Sequence, residues 1–270
     1  MITAVAAMLM FAAASLADDR SIILASTTST ENSGLLADLL PRFTARSGIR
    51  VYVVAVGTGA ALRLGERGDA DVVLIHDRAA EDRFVAAGHG IDRRDVMYND
   101  FLIVGPGGDP AGIRGGRDAV AALSTIAGAR ALFASRGDDS GTHKAERRLW
   151  LAAGIDPGTG SGQWYLELGA GMGATLNMAA ARGAYALVDR GTWLSFANRR
   201  DLVALAEGDA RLLNPYGVIL VNPARHPYVD EAAARAFIDW LTGAEGQAAI
   251  AAFTIKGEQL FVPNARDAVE

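Results

Sequence analysis

Short apolar runs alternate along the chain with segments of helical periodicity. Ile22-Ile23-Leu24-Ala25 is a compact apolar run, followed at once by the polar stretch Ser26-Thr27-Thr28-Ser29-Thr30-Glu31. Leu35, Leu36, Leu39, Leu40 and Phe43 then recur at the spacing of one helix face, and Gly48 is placed to end that helix. Val51 to Val56 predicts a second strand. Gly57-Thr58-Gly59 leads from it into a helix carrying Leu62 and Leu64. Val72 to Ile75 predicts a third strand, and Ala79 to Ala87 the next helix. This β-α-β-α-β-α order predicts an α/β protein with a mainly parallel sheet covered by helices.

A second block repeats the alternation. Phe101 to Val104, Ala131 to Ala134, Tyr185 to Val188, Leu202 to Leu205 and Val218 to Val221 read as strands. Asp118 to Ile126, Lys144 to Ala153, Met172 to Ala181, Glu231 to Leu241 and Glu245 to Phe253 read as helices. No Pro/Gly-rich linker separates the blocks. If the chain forms two lobes, it must cross between them inside strand-like segments. The best candidates are Val96 to Val104 and Asn214 to Val221.

Length supports two lobes as readily as one, because a single core stops growing efficiently near 250–300 residues and the chain has 270. Half of the residues are hydrophobic and 21% are charged, an ordinary globular profile. The formal charge of −5 argues against nucleic acid as a partner, since phosphate backbones are bound by basic surfaces. A small anion needs only a local positive field. The absence of cysteine excludes disulfides, thiolate metal sites, a cysteine nucleophile and a lipid-modified cysteine anchor. At the N-terminus, Ile2 to Ala14 is almost wholly apolar, and Ser15-Leu16-Ala17 has a small-x-small pattern. Residues 1–17 therefore read as a secretory leader, although no Lys or Arg precedes the apolar run. A buried N-terminal helix is the alternative.

Four loops carry candidate chemistry. The hydroxyl run around Thr27, Thr28 and Ser29 sits between a strand and a helix. There the free amides and the helix dipole favour a ligand anion, and hydroxyls add rotatable donors. Thr58 lies in the corresponding loop after the second strand, at the same sheet edge. Arg136-Gly137-Asp138-Asp139-Ser140-Gly141-Thr142 combines a forked guanidinium with hydroxyls and amides at a helix start. A glycine-rich turn, Gly169 to Thr175, brings Gly173 and Thr175 to another helix start, but its spacing is not the dinucleotide fingerprint. The four histidines, His76, His89, His143 and His226, form no metal-spaced pair. His76 ends a strand and is placed to line a cleft. Ser140 is the serine to weigh as a hydrolase nucleophile, but position 138 is Asp where the nucleophile-elbow pattern needs Gly.

With these loops placed, the chain resembles the TupA-type tungstate-binding proteins of ABC importers, within the periplasmic binding proteins. The resemblance is carried by Ala25 to Thr30, His76 to Glu81, Val96 to Phe101, Ser135 to Thr142 and Gly171 to Leu176. It implies a type II periplasmic binding fold of two α/β lobes joined by two crossovers. The expected lobes are residues 18–100 plus 215–270, and residues 101–214. It also implies an inner-membrane permease and ATPase as partners, a monomeric periplasmic protein that is not a lipoprotein, no cofactor and no catalysis. Carried over residue by residue, it puts an anion between Thr27, Thr28, Ser29 and Thr58 of one lobe and Arg136, Ser140, Gly141 and Thr142 of the other. Gly173 and Thr175 contribute from the last helix start. Arg136 is then the single full charge assigned to the site.

Tungstate is the leading ligand, with molybdate and phosphate as alternatives on the same fold. Tungstate and molybdate are fully deprotonated dianions that only accept hydrogen bonds. Hydrogen phosphate carries a proton, and Asp138 or Asp139 is the acceptor that a phosphate site would use. A hydrolase built on Ser140 and an anion-sensing domain are the readings from other classes.

Overall fold

The computed structural model describes residues 20–265, so the segment 1–17 read as a leader lies outside the described residues. The first lobe opens with β1 (Ser21–Thr27), α1 (Thr28–Asn32), α2 (Leu35–Ser47), β2 (Arg50–Val56), α3 (Thr58–Arg67), β3 (Val72–Ile75) and α4 (Arg78–Ala86). The long strand β4 (Gly90–Pro106) leads into α5 (Ala119–Gly128), β5 (Phe133–Ser135), α6 (Gly141–Ala152), β6 (Tyr165–Glu167), α7 (Met172–Arg182), β7 (Ala186–Asp189), α8 (Arg190–Ser195) and β8 (Leu202–Ala206). The return strand β9 (Leu213–Val221) is followed by α9 (Glu231–Thr242), α10 (Ala244–Ala252) and the short strands β10 (Thr254–Ile255), β11 (Glu258–Gln259) and β12 (Val262–Pro263). No helix among the described residues is long and apolar enough to cross a membrane.

The helices form where the apolar spacing predicts. In α2, Leu35, Leu36, Leu39 and Phe43 make one buried face, and Gly48 caps the end at φ +74°. Phe43 meets Phe237 of α9 edge-on at 5.1 Å, within a core that also takes in Leu24, Val72 and Ile219.

The main sheet runs β12-β4-β9-β3-β1-β2. β1 pairs parallel with both β2 and β3, as the β-α-β pattern predicts. The rest is antiparallel, so the sheet is mixed. The cause is the pair of crossing strands. β4 leaves the first lobe and β9 returns, so they run in opposite directions, and Asp100 lies opposite Leu213. Beyond Asp100, β4 pairs instead with β7 and β8. There its side chains alternate: Phe101 and Ile103 join the core under α5 and α6, while Leu102 and Val104 join the core under α7. The molecule is thus two α/β lobes with two crossovers side by side.

β4 starts at Gly90, well before the apolar run. Its polar stretch Asp92-Arg93-Arg94-Asp95 looks like a loop by hydropathy. It holds as a strand because its charges are paired: Arg93 with buried Glu81 at 2.8 Å, and Arg94 with Asp239 at 2.7 Å.

Candidate functional site

The carboxyl ends of β1, β2 and β3 face the loop between β5 and α6 across a cavity of about 390 Å³. Thr27, Thr28, Ser29, Thr58, Arg136, Ser140, Gly141 and Thr142 all line it. A second cavity of about 290 Å³ continues past Thr28, Ser29 and Arg136 to Gly173 and Thr192. Nine of the ten sequence-predicted residues therefore meet in one cleft.

On the first lobe the hydroxyl run divides its work. Thr27 is buried, and its hydroxyl accepts from the Thr30 amide at 3.3 Å, which makes it the N-cap of α1. Ser29 Oγ lies 3.2 Å from His76 Nε2. Thr28 is exposed to the cleft and makes no side-chain hydrogen bond among the described residues. Thr58 is buried against the cavity, also with no partner for its hydroxyl among the described residues. It opens α3, whose N-cap Gly57 offers no side-chain acceptor, so the Thr58 and Gly59 amides stay available, while Ala60 donates to the Gly57 carbonyl at 2.9 Å.

Arg63 is a cavity residue that the sequence reading did not assign. It sits one turn after Gly59 on α3, and its Nη1 lies 3.4 Å from where a Cβ on Gly59 would stand. The bare glycine lets the guanidinium fold back toward the cavity, an i, i+4 signal that was present in the sequence. Arg63 has no ion pair among the described residues. The site therefore holds more charge than Arg136 alone, because Lys144 lines the cavity too, 3.6 Å from Asp139.

On the second lobe, Arg136 donates from Nε at 3.1 Å and from Nη2 at 2.5 Å to one oxygen of Asp138. The other Asp138 oxygen accepts from the Ser140 amide at 3.2 Å. Burial opposes ionisation of Asp138, but its bond to Ser140 and the Arg136 guanidinium outweigh burial and hold the carboxyl below its ordinary value. Gly137 takes φ +60°, and a Cβ there would stand 3.3 Å from the Gly169 amide, so only glycine lets the loop lie this close to segment 167–169. Ser140 Oγ accepts from the His143 amide at 3.3 Å as the cap of α6. His143 Nδ1 accepts from the Asp139 amide at 3.0 Å, so Ser140 and His143 do not form a nucleophile–base pair. The hydroxyl of buried Thr142 has no partner among the described residues.

The loop is anchored from beneath. Ser135 donates to buried Glu146 at 2.9 Å, Tyr165 donates to Glu146 at 2.7 Å, and Trp150 donates to it at 3.1 Å. Burial pushes the Glu146 carboxyl up to about 7, against these hydrogen bonds. The unfolded chain loses this proton near its ordinary value of 4.5, while the folded chain keeps it until about 7. Between those values the folded state binds more protons, so stability falls as pH rises, and it is flat on either side. Glu146→Gln removes that slope. Denaturant unfolding from about pH 4.5 to 8 will show a wild-type loss of up to roughly 3 kcal/mol that the variant lacks. Equal slopes in the two proteins would contradict the assignment.

Thr175 departs from the expectation. It is fully buried, and both its hydroxyl and its amide donate to the Gly171 carbonyl, at 3.2 and 3.1 Å. One turn into α7, its side chain falls on the core face beside Leu176. Gly173 does reach the cleft, on the first turn of a helix whose N-cap Gly171 leaves the amides uncapped. His76, singled out from the sequence only as a cleft candidate, is a buried lining residue, with Nδ1 2.9 Å from Asn214 Oδ1.

Comparison with known proteins identifies the family. A family model described as PBP superfamily domain matches residues 12–245. Tungstate-binding protein TupA of Peptoclostridium acidaminophilum is 49% identical over 249 residues, which cover 91% of this chain and 86% of that one. The solved structure of tungstate-binding protein TupA from Desulfovibrio alaskensis G20 is similar with a TM-score of 0.85 and 46% identity, covering 92% of this chain and 100% of that one. The structure of the tungstate ABC transporter from Geobacter sulfurreducens gives a TM-score of 0.77 at 50% identity, over 86% and 98% of the two chains. On matches of this extent, the chain belongs to the PBP superfamily and, within it, to the TupA family.

Proposed function

We propose that this protein is the extracytoplasmic binding component of an ABC importer and captures tungstate between its two lobes without chemical change. One observation carries the reading. The hydroxyls of Thr28, Thr58 and Thr142 line one cavity from both lobes, and none has a protein partner among the described residues. Three free hydroxyls facing one cavity from both lobes are donors that a bound acceptor can engage together. The uncapped first turn of α3 and three cationic side chains, Arg63, Arg136 and Lys144, add to a wall made chiefly of donors. A deprotonated dianion, which only accepts, suits such a wall.

Phosphate fits less well. A protonated oxyanion needs an acceptor, and both oxygens of Asp138 are already engaged by Arg136 and the Ser140 amide. Asp139 stands at the cavity rim, with a side chain 86% exposed and 3.6 Å from the Lys144 ammonium. Molybdate has the same charge and geometry as tungstate and belongs to the same reading. Delivery to a permease and ATPase, a periplasmic location, a monomeric state and the division at residues 100/101 and 214/215 go with it. The TupA relatives named above support the importer role and its permease and ATPase partners. Turnover of a chromogenic ester, lost on Ser140→Ala, would instead favour a hydrolase.

The test is a thermal-shift series with tungstate, molybdate, phosphate and sulfate. A ligand at about 1,000 times its Kd adds about 4 kcal/mol of stability. Tungstate is expected to raise Tm at near-equimolar dose, with little effect of phosphate or sulfate. A rise with phosphate alone would change the ligand, and no rise with any of the four would reject the reading.

Arg63 supplies long-range attraction more than a fixed contact, because it is exposed. Arg63→Ala should weaken tungstate binding about tenfold at low salt and by less at about 0.5 M salt, where such charges are screened. Titration calorimetry at the two ionic strengths checks this. An unchanged affinity at low salt would remove Arg63 from the site.

A further inference from the structure

Behind the cavity wall, four polar side chains run in a line from the site to the two crossover strands. Ser29 Oγ is 3.2 Å from His76 Nε2, and His76 Nδ1 is 2.9 Å from Asn214 Oδ1. Asn214 Nδ2 donates to Asn99 Oδ1 at 2.7 Å. Asn214 lies on β9 and Asn99 on β4, where those strands pair. His76, Asn214 and Asn99 are all buried.

This line fixes where the protons sit. Because the Asn214 amide nitrogen faces Asn99, its oxygen faces His76 and must accept. The neutral ring therefore carries its proton on Nδ1 and presents a bare lone pair at Nε2. Ser29 has one hydroxyl proton, and that lone pair takes it. In this state Ser29 shows only lone pairs to the cavity, which suits water and repels an oxyanion. Protonation at Nε2 reverses the bond. The imidazolium then donates to Ser29 Oγ, and the Ser29 hydrogen is released to turn toward the ligand, with Thr27 Oγ1 at 3.1 Å as the competing acceptor.

We propose that His76 takes up a proton from solvent as the oxyanion binds, so that capture is proton-coupled and strengthens as pH falls. The proposal rests on the reading of the cavity as an oxyanion site. No covalent bond other than Nε2–H is formed, and the Ser29 hydroxyl only rotates. The charged groups facing the ring or sharing its cavity are Asp77 at the cap of α4, Asp189 at the cap of α8, Arg148 on α6, Arg63 on α3, and Arg136, Asp138, Asp139 and Lys144 across the cavity. Tyr216 covers one ring face at 4.8 Å. Burial is the largest influence. It holds the ring below the ordinary imidazole value against the bond to Asn214 and the two aspartates, with Arg148 acting in the same sense as burial. The empty site therefore keeps His76 neutral at neutral pH. A dianion one hydroxyl away adds the missing negative charge, and an opposite charge at such range shifts a titration by about 1–3 units.

The sign follows from linkage. The complex binds more protons than the free protein between the two titration midpoints, so affinity falls as pH rises through that window. Calorimetric titration of the full chain with sodium tungstate, in non-phosphate buffers of different ionisation enthalpy at about pH 7.5, reads the uptake. Uptake of up to one proton per anion is expected between the midpoints of the free and bound protein, with affinity falling by up to about tenfold per pH unit inside that window, which repeating the titration from about pH 5 to 8.5 locates. His76→Gln should bind more weakly at neutral pH, with no uptake and no pH slope. If that variant fails to fold, ¹⁵N-histidine NMR of the wild type carries the test: the His76 midpoint must move upward on adding tungstate. Binding with no proton uptake, or an unmoved midpoint, overturns the proposal and leaves the oxyanion reading standing. No tungstate binding at any pH overturns both.

Discussion

Arg136→Ala should weaken tungstate binding by roughly a hundredfold to a thousandfold, the largest loss expected from any single truncation in the cleft. Arg136 is mostly shielded from solvent, and its Nε and Nη2 already point at Asp138. Losing one partner of a desolvated, hydrogen-bonded charge set costs about 2–5 kcal/mol, and each 1.4 kcal/mol is a factor of ten. Two effects add up in this variant. The anion loses a forked cationic donor, and the Asp138 carboxylate is left in the wall with no cation beside it. The second effect can be isolated. Arg136→Ala combined with Asp138→Asn should bind about tenfold better than Arg136→Ala alone, because the stranded charge is gone. Titration calorimetry on the two variants and the wild type closes the cycle. Wild-type affinity in Arg136→Ala would remove the residue from the site. No recovery in the double variant would mean that Asp138 does not act on the anion.

The second large effect concerns contact between the lobes. Gly141 opens α6, and a Cβ placed on it would stand 2.9 Å from Cε1 of His76, on the opposite lobe. His76 cannot withdraw, since it is buried, bonded to Asn214 and packed at a tilt against Tyr216. Gly141→Leu therefore holds the two walls apart. The hydroxyls of Thr28 and Thr58 and those of the Arg136 loop can no longer reach one small anion together. Losing two charge-assisted hydrogen bonds of about 1.5–3 kcal/mol each implies at least a hundredfold weaker binding. Neither lobe's core contains Gly141, so the Tm of the ligand-free variant should stay close to wild type. A fall in Tm comparable to the loss of binding would point to misfolding, and wild-type affinity would show that the lobes need not meet at this point.

The fold was legible where hydropathy and geometry agree. The β1, β2 and β3 runs, the Leu35 to Phe43 helix face and the Gly48 cap are local features, written in spacing and in one glycine. What hydropathy could not reveal is the polar half of β4. Asp92 to Asp95 forms a strand because Glu81 and Asp239, distant in sequence, neutralise its arginines. The same limit governed the site. Loops after strands, rich in hydroxyls or glycine, identified the cleft. Within a loop, however, composition does not say which hydroxyl caps a helix and which stays free. Thr27 and Ser140 became caps, Thr175 turned into the core, and Thr28, Thr58 and Thr142 kept their donors for the cavity. Arg63 was readable from its one-turn offset to Gly59. The line from His76 through Asn214 to Asn99 was not, because it joins residues 138 and 115 positions apart.

The most direct measurement is a crystal structure of the protein grown with equimolar sodium tungstate, with data collected at the tungsten absorption edge. One anomalous peak is predicted in the cleft, within hydrogen-bond reach of the hydroxyls of Thr28, Thr58 and Thr142 and of the Arg136 guanidinium. A peak elsewhere, or an empty cleft beside a calorimetrically saturated sample, would contradict the assignment of this cavity as the site of capture.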